Sequence, residues 1–178
     1  DLKYKDIPAT LKDACSAAAE LGVDIVTVHA DGGEEMLQAA MQGAKEGAER
    51  SGNQVPKIVA ITVLTSIDQD TLHNQLNIQK ELQEQALTMA KLAHTAGLDG
   101  IVCSGKELKY LKPHFSEEFL FITPGIKGPN TAAGLDQKRV MSPGNAIQDG
   151  SSLLVIGRAI TAAENPQQAA HEILQDIA

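Results

Sequence analysis

The chain opens with Asp1-Leu2-Lys3-Tyr4-Lys5-Asp6-Ile7-Pro8-Ala9-Thr10, in which Lys3 and Lys5 lie between two carboxylates. Opposite charges hold an ammonium in its charged form. A fixed ammonium beside an anion is a ready proton donor, and the same carboxylates repel a negative group placed among them. Together these effects suit loss of a carboxylate and protonation of the carbanion left behind. If the first residues are extended, the two-residue period puts Asp1 and Lys3 on one face and turns Leu2 into the packing layer. Asp6 then lies beyond the strand, and Pro8 and Thr10 mark the opening of a helix. Taken alone, D-x-K-x-x-D at a strand end is more often a surface ion-pair cluster than a reaction centre.

Positioning such a group is the task of the elements that follow. Short β-branched runs recur at 25–28, 58–64, 101–102, 120–122 and 153–156, and Ala/Gln/Glu/Lys-rich stretches with helical spacing separate them, at 10–21, 34–51, 75–96 and 167–177. Strand then helix, repeated, means βαβ units and a parallel sheet. The runs finish in small or polar residues: His29-Ala30-Asp31-Gly32-Gly33, Thr65-Ser66, Ser104-Gly105, Thr123-Pro124-Gly125 and Gly157-Arg158. Functional groups gathered at the carboxyl ends of parallel strands build the site of a barrel or of an open α/β sheet. No G-x-G-x-x-G follows any run, which counts against a dinucleotide-binding fold.

Five strands and an opening stub fall short of a closed eight-stranded barrel, which typically needs ~200 residues or more. The alternatives are a smaller open sheet or a barrel whose first two βα units precede Asp1. The second is expected, with residues 1–178 as a single barrel domain starting at the end of strand 3.

Composition sets the outer limits. Apolar residues at 43% and charged residues at 21% describe a globular chain with a real core. Aromatics at only 3% leave burial to Ile, Val, Leu and Ala. A net charge of −8 without a basic face argues against nucleic acid as a partner, and no apolar stretch approaches the ~20 residues of a membrane span. Cys15 and Cys103 suggest no disulfide framework, so a reducing cytoplasm is expected. The five histidines show no metal-ligand spacing. His29 reads as a hydrogen-bonded structural residue and Cys103 as a small buried one. The Gly/Pro/Asn/Ala-rich stretch from Lys127 to Asp136 is a candidate ligand-covering loop or else an inert connection.

The opening segment closely resembles the D-x-K-x-x-D-I-x-x-T signature of orotidine 5'-phosphate decarboxylases of the bacterial type. The likeness continues in order along the chain through V-T-V-H-A-D-G-G, V-L-T-S, V-C-S, T-P-G-I, D-Q-K-R-V and V-I-G-R-A-I. The resemblance implies a (β/α)8 TIM barrel that converts orotidine 5'-monophosphate to UMP without metal or organic cofactor. It makes Lys3 the proton donor to the pyrimidine carbon and Asp1 the carboxylate beside the departing group. It assigns Asp6, with Ile7 and Thr10, to the active site of a neighbouring subunit, and so implies a homodimer with shared sites. Thr65 corresponds to the residue at the pyrimidine edge, though a Thr after a strand otherwise reads as a helix cap. Pro124 belongs to the substrate-binding T-P-G-I segment. Gly157 and Arg158 correspond to the phosphate grip, where glycine admits the anion to the backbone and Arg supplies donors; out of context, Arg158 reads as a solvated ion-pair partner. Gln137 corresponds to the amide that closes the loop on the same phosphate.

Two departures accompany the likeness. Lys127 stands where these enzymes commonly carry Arg, keeping the charge but losing the two-pronged geometry, and the loop from 127 to 137 is one residue longer than in close relatives. The family also supplies a further Asp and a further Lys from its first two strands, neither of which is in this sequence. Two other readings remain open at this level. One is the sugar-phosphate branch of the same superfamily, hexulose-phosphate synthases and ketogulonate-phosphate decarboxylases, which uses D-x-K-x-x-D to hold magnesium. The other is a non-catalytic fragment that binds phosphate.

Overall fold

The computed structural model describes residues 1–128 and 138–178. Its elements, in chain order, are α1 (Pro8–Glu20), β1 (Ile25–His29), α2 (Glu34–Ser51), β2 (Lys57–Ile61), α3 (Leu82–Thr95) and β3 (Gly100–Val102), followed by α4 (Leu108–Leu111), β4 (Leu120–Thr123), α5 (Pro143–Gln148), β5 (Leu153–Leu154), α6 (Arg158–Thr161) and α7 (Pro166–Asp176). The residues form two compact units, one comprising Asp1–Thr62 with Leu87–Ile101 and the other Val63–Ala86 with Val102–Ala178.

In the first unit β1 and β2 run parallel, Ile25 opposite Lys57 and His29 opposite Ile61. The run Ile58–Ile61 is buried on both faces, as expected of a covered parallel strand, whereas β1 buries only the face that carries Val26 and Val28. Asp99 fixes the start of β2, its carboxylate accepting the Ile58 N–H at 2.9 Å and the Lys57 ammonium at 2.8 Å. The helices α1 and α2 pack closely because Gly43 and Gly47, one turn apart, leave no side chain between them. A Cβ on either would run into the α1 backbone, at the carbonyls of Lys12 and Ser16. Arg50 reinforces this pair, reaching Ser16 Oγ and the Glu20 carboxylate. Glycines with positive φ bracket α2, Gly33 at +90° and Gly52 at +73°, where a side chain would be strained.

In the second unit β4 and β5 run parallel, with Ile122 opposite Leu153. All three phenylalanines of the chain gather here: Phe115 and Phe119 stack at 4.7 Å between centroids, and Phe121 meets both edge-on. Buried Ser151 joins the two strands, donating to Thr123 Oγ1 at 2.7 Å.

Three expected elements are shorter than the periodicity suggests, the last strand ending at Leu154 rather than at 156. The helix expected over 75–96 spans only Leu82–Thr95. Residues 71–75 form a wide π-type turn, and Asn77 takes φ +54°, which breaks the helical run. Gln69 bridges the gap, accepting the Leu82 N–H and donating to the Lys80 carbonyl, both at 2.9 Å. The strand expected over 58–64 ends at Ile61, after which the chain turns with the Ile67 N–H bonded to the Leu64 carbonyl.

Candidate active site

The opening segment is not an extended strand. Lys3 has φ +52°, a left-handed conformation that costs a non-glycine residue about 1 kcal/mol. Only Tyr4 joins β1, in a single parallel bridge to Val28, with its N–H on the Thr27 carbonyl and its carbonyl accepting the His29 N–H, both at 2.9 Å. Leu2, expected in the packing layer, is 74% exposed, because the left-handed turn at Lys3 breaks the two-residue alternation.

Lys3 and Asp1 nevertheless come together. Lys3 Nζ lies 2.6 Å from Asp1 Oδ2. Thr27, near the middle of β1, accepts the Lys3 backbone N–H at 3.0 Å and donates its hydroxyl to Asp1 Oδ1 at 2.8 Å. The ammonium is therefore fixed beside one carboxylate, and that carboxylate is fixed in turn. Asp6 is not the second flank of this pair: its Oδ1 accepts the Ile7 N–H at 2.7 Å. Ile7 caps α1 with its side chain 67% exposed, and Thr10 is exposed in the first turn.

A second cluster adjoins the first. Lys5 pairs with Asp31 at 2.7 Å, and His29 Nδ1 lies 3.8 Å from the same carboxylate. Burial pushes the His29 imidazole below its ordinary range despite the opposing pull of Asp31, with Lys5 and Lys3 adding to the depression.

In the second unit Thr65 is buried four residues beyond the end of β2. In the helical turn that follows, Asp68 Oδ1 accepts the Thr71 N–H at 2.9 Å. Asp68 also takes Lys138 Nζ at 2.6 Å, a contact that holds its carboxyl well below the usual range. The segment leading to Thr65 is held by Arg139, which donates to the carbonyls of Val63 at 3.0 Å and Leu64 at 2.9 Å. Arg139 also forms a buried ion pair with Glu107. The other Glu107 oxygen accepts the Ser104 N–H at 3.1 Å, so the acid fixes the turn after β3. Cys103 beside it is fully buried, its thiol pushed up to about 12 by desolvation.

Pro124 follows β4 directly, Gly125 turns the chain at φ +73°, and Lys127 is exposed. Met141 accepts the Lys127 N–H at 2.9 Å and donates to the Gly125 carbonyl at 3.1 Å; most of the candidate loop from Lys127 to Asp136 lies outside the described residues. Gln137 lies outside the described residues. Gly157 caps the short helix α6, Arg158 is its exposed first residue, and a Cβ at Gly157 would meet open space. Among the described residues no group of three or more His, Cys, Asp or Glu side chains converges to hold a metal, and no helix is long and apolar enough to cross a membrane.

Thr27, Glu107 and Arg139 are the residues that sequence reasoning overlooked. A polar Thr between two valines of a half-buried parallel strand was one available signal. The S-x-x-E capping spacing of Ser104 and Glu107 was another.

Residues 1–173 match the family described as Orotidine 5'-phosphate decarboxylase / HUMPS. The orotidine 5'-phosphate decarboxylase of Bacillus pumilus is 46% identical over 176 residues, 99% of this chain and 74% of that relative. That of Nostoc is 46% identical over 177 residues, with the same two coverages. The crystal structure of orotidine 5'-phosphate decarboxylase from Lactobacillus acidophilus superposes with a TM-score of 0.84 at 40% identity, covering 99% of this chain and 73% of that one.

Proposed function

The chain belongs to the Orotidine 5'-phosphate decarboxylase / HUMPS family, and from that premise we propose that it decarboxylates orotidine 5'-monophosphate to UMP with Lys3 as proton donor. The fold class is accordingly the α/β, (β/α)-barrel type. The observation that carries the residue assignment is the Lys3 ammonium, 2.6 Å from the Asp1 carboxylate within the segment matching the family signature.

In this reading the bond from the ring carbon to the carboxylate breaks and leaves its electron pair on that carbon. Lys3 delivers a proton to the pair, forms the new C–H bond and later regains a proton from solvent. Asp1 acts twice. Its charge opposes that of the departing carboxylate, and its contact with Nζ holds the donor in place, so the gain is electrostatic preorganisation rather than a covalent intermediate. Thr65 and Pro124 serve the pyrimidine edge, and Gly157, Arg158, Lys127 and Gln137 serve the phosphate. Asp6, Ile7 and Thr10 contribute to the site of a second copy in a homodimer. The exposure of Ile7 and Thr10 and the absence of Asp6 from the Lys3 pair support that division. A reducing cytoplasm suits the two buried free thiols.

Loss of the orotate absorbance on mixing with orotidine 5'-monophosphate tests the reaction. Turnover that is unchanged in EDTA is expected. A full-length protein that left orotidine 5'-monophosphate intact would contradict the proposal, and magnesium-dependent turnover of a sugar phosphate by that protein would favour the sugar-phosphate branch.

A further inference from the structure

We propose that Thr27 is a positioning residue for the Lys3–Asp1 pair, fixing the lysine backbone and the carboxylate through one hydroxyl. The inference rests on the reading of Lys3 as proton donor. Thr27 Oγ1 accepts the Lys3 N–H at 3.0 Å and donates to Asp1 Oδ1 at 2.8 Å, while Asp1 Oδ2 takes Lys3 Nζ at 2.6 Å. These contacts close a ring from the Lys3 backbone, through hydroxyl and carboxylate, back to the Lys3 side chain. Their directions are set by chemistry, since an amide N–H can only donate and an ionised carboxylate can only accept. One hydroxyl does both tasks.

The backbone supplies the reason such a contact is needed. Lys3 sits at φ +52°, a region that a non-glycine residue holds only where its surroundings require it. Tyr4 is held by its bridge to β1, but the contact on the Lys3 amide itself is the Thr27 hydroxyl. Thr27 is in turn well anchored. Val26 and Val28 on either side are buried, and β1 is paired along its length with β2. A branched Cβ further restricts the side chain. The strand thus carries a stiff post on which the proton donor and its carboxylate are both mounted. A displacement of the donor by about 1 Å costs on the order of a hundredfold in rate.

The test measures kcat and KM for orotidine 5'-monophosphate in full-length protein carrying Thr27→Val, Thr27→Ser or Lys3→Ala. Thr27→Val keeps the branched shape and removes both bonds; a fall in kcat of about ten- to a hundredfold, with KM changed by less than about threefold, is expected. Thr27→Ser restores the hydroxyl and recovers most of that loss. A Thr27→Val enzyme within twofold of the parent kcat would overturn the proposal. So would a Thr27→Ser enzyme as slow as Thr27→Val, which would trace the effect to the methyl group. If Thr27→Val does not fold, Thr27→Ala against Thr27→Ser decides on the same criterion. Lys3→Ala retaining the parent rate would overturn this inference together with the reading beneath it. An inactive Lys3→Ala beside a fully active Thr27→Val would overturn the positioning role alone.

Discussion

Replacing Arg139 by Met removes the counter-charge of Glu107 and the donor to two carbonyls while keeping most of the side-chain volume. Arg139 is 7% exposed and Glu107 3%, so solvent cannot take over either role. Breaking a buried pair from one side costs roughly 3–5 kcal/mol, because the remaining charge is left uncompensated. For a domain of this size each kcal/mol lowers Tm by about 2–4 °C, so a fall of roughly 10 °C is expected for Arg139→Met. The double variant Arg139→Met/Glu107→Leu removes both charges and regains most of the loss. It stops short of the parent by at least about 1 kcal/mol, since the Ser104 N–H loses its acceptor and the Val63 and Leu64 carbonyls lose their donor. Thermal unfolding followed by circular dichroism measures all three proteins. Because Val63 and Leu64 lead directly into Thr65, KM for orotidine 5'-monophosphate should rise in the single variant as well. A shift below 2 °C for Arg139→Met, or a double variant no more stable than the single, would show that the buried pair does not hold this part of the fold.

Gly43→Ala and Gly47→Ala each gain helix propensity but drive a methyl group into the α1 backbone. A net loss of about 1–3 kcal/mol in urea unfolding is expected for each, and a neutral result would mean that the helices can separate freely. The depressed His29 pKa stabilises the fold above the unfolded value of about 6.5, and that contribution is lost as pH falls through the lower folded value. His29→Asn should therefore lose less Tm than the parent between about pH 7 and pH 5; identical losses would deny the imidazole that role. Arg158→Ala should raise KM for orotidine 5'-monophosphate while leaving orotidine, which lacks the phosphate, almost unaffected. Equal losses on both compounds would contradict a phosphate role.

The repeating strand and helix texture was legible because local sequence dictates it. The helix α2 spans the residues its spacing and flanking glycines require, and the five β-branched runs each hold a strand. The closeness of Lys3 to Asp1 was also expected, though it arises for a different reason than strand parity. Parity assumes regular extension, whereas a left-handed turn and a hydroxyl from β1 bring the pair together. Such a contact joins residues 24 and 26 positions apart, beyond the reach of any periodicity. The pair of Arg139 with Glu107 escaped for the same reason. Each residue alone reads as surface charge, and only tertiary structure shows them buried against each other. The truncated α3 shows how local bonding prevails over spacing, since the Gln69 side chain bonds at the residue where α3 begins.

The most direct test of the central claim is single-turnover decarboxylation of orotidine 5'-monophosphate by the full-length protein and its Lys3→Ala variant, with UMP binding measured in parallel. A loss of about a hundredfold or more in the chemical step, with the variant still folded and binding UMP, is the expected result. A Lys3→Ala enzyme that kept more than half of the parent rate would show that the proton comes from elsewhere.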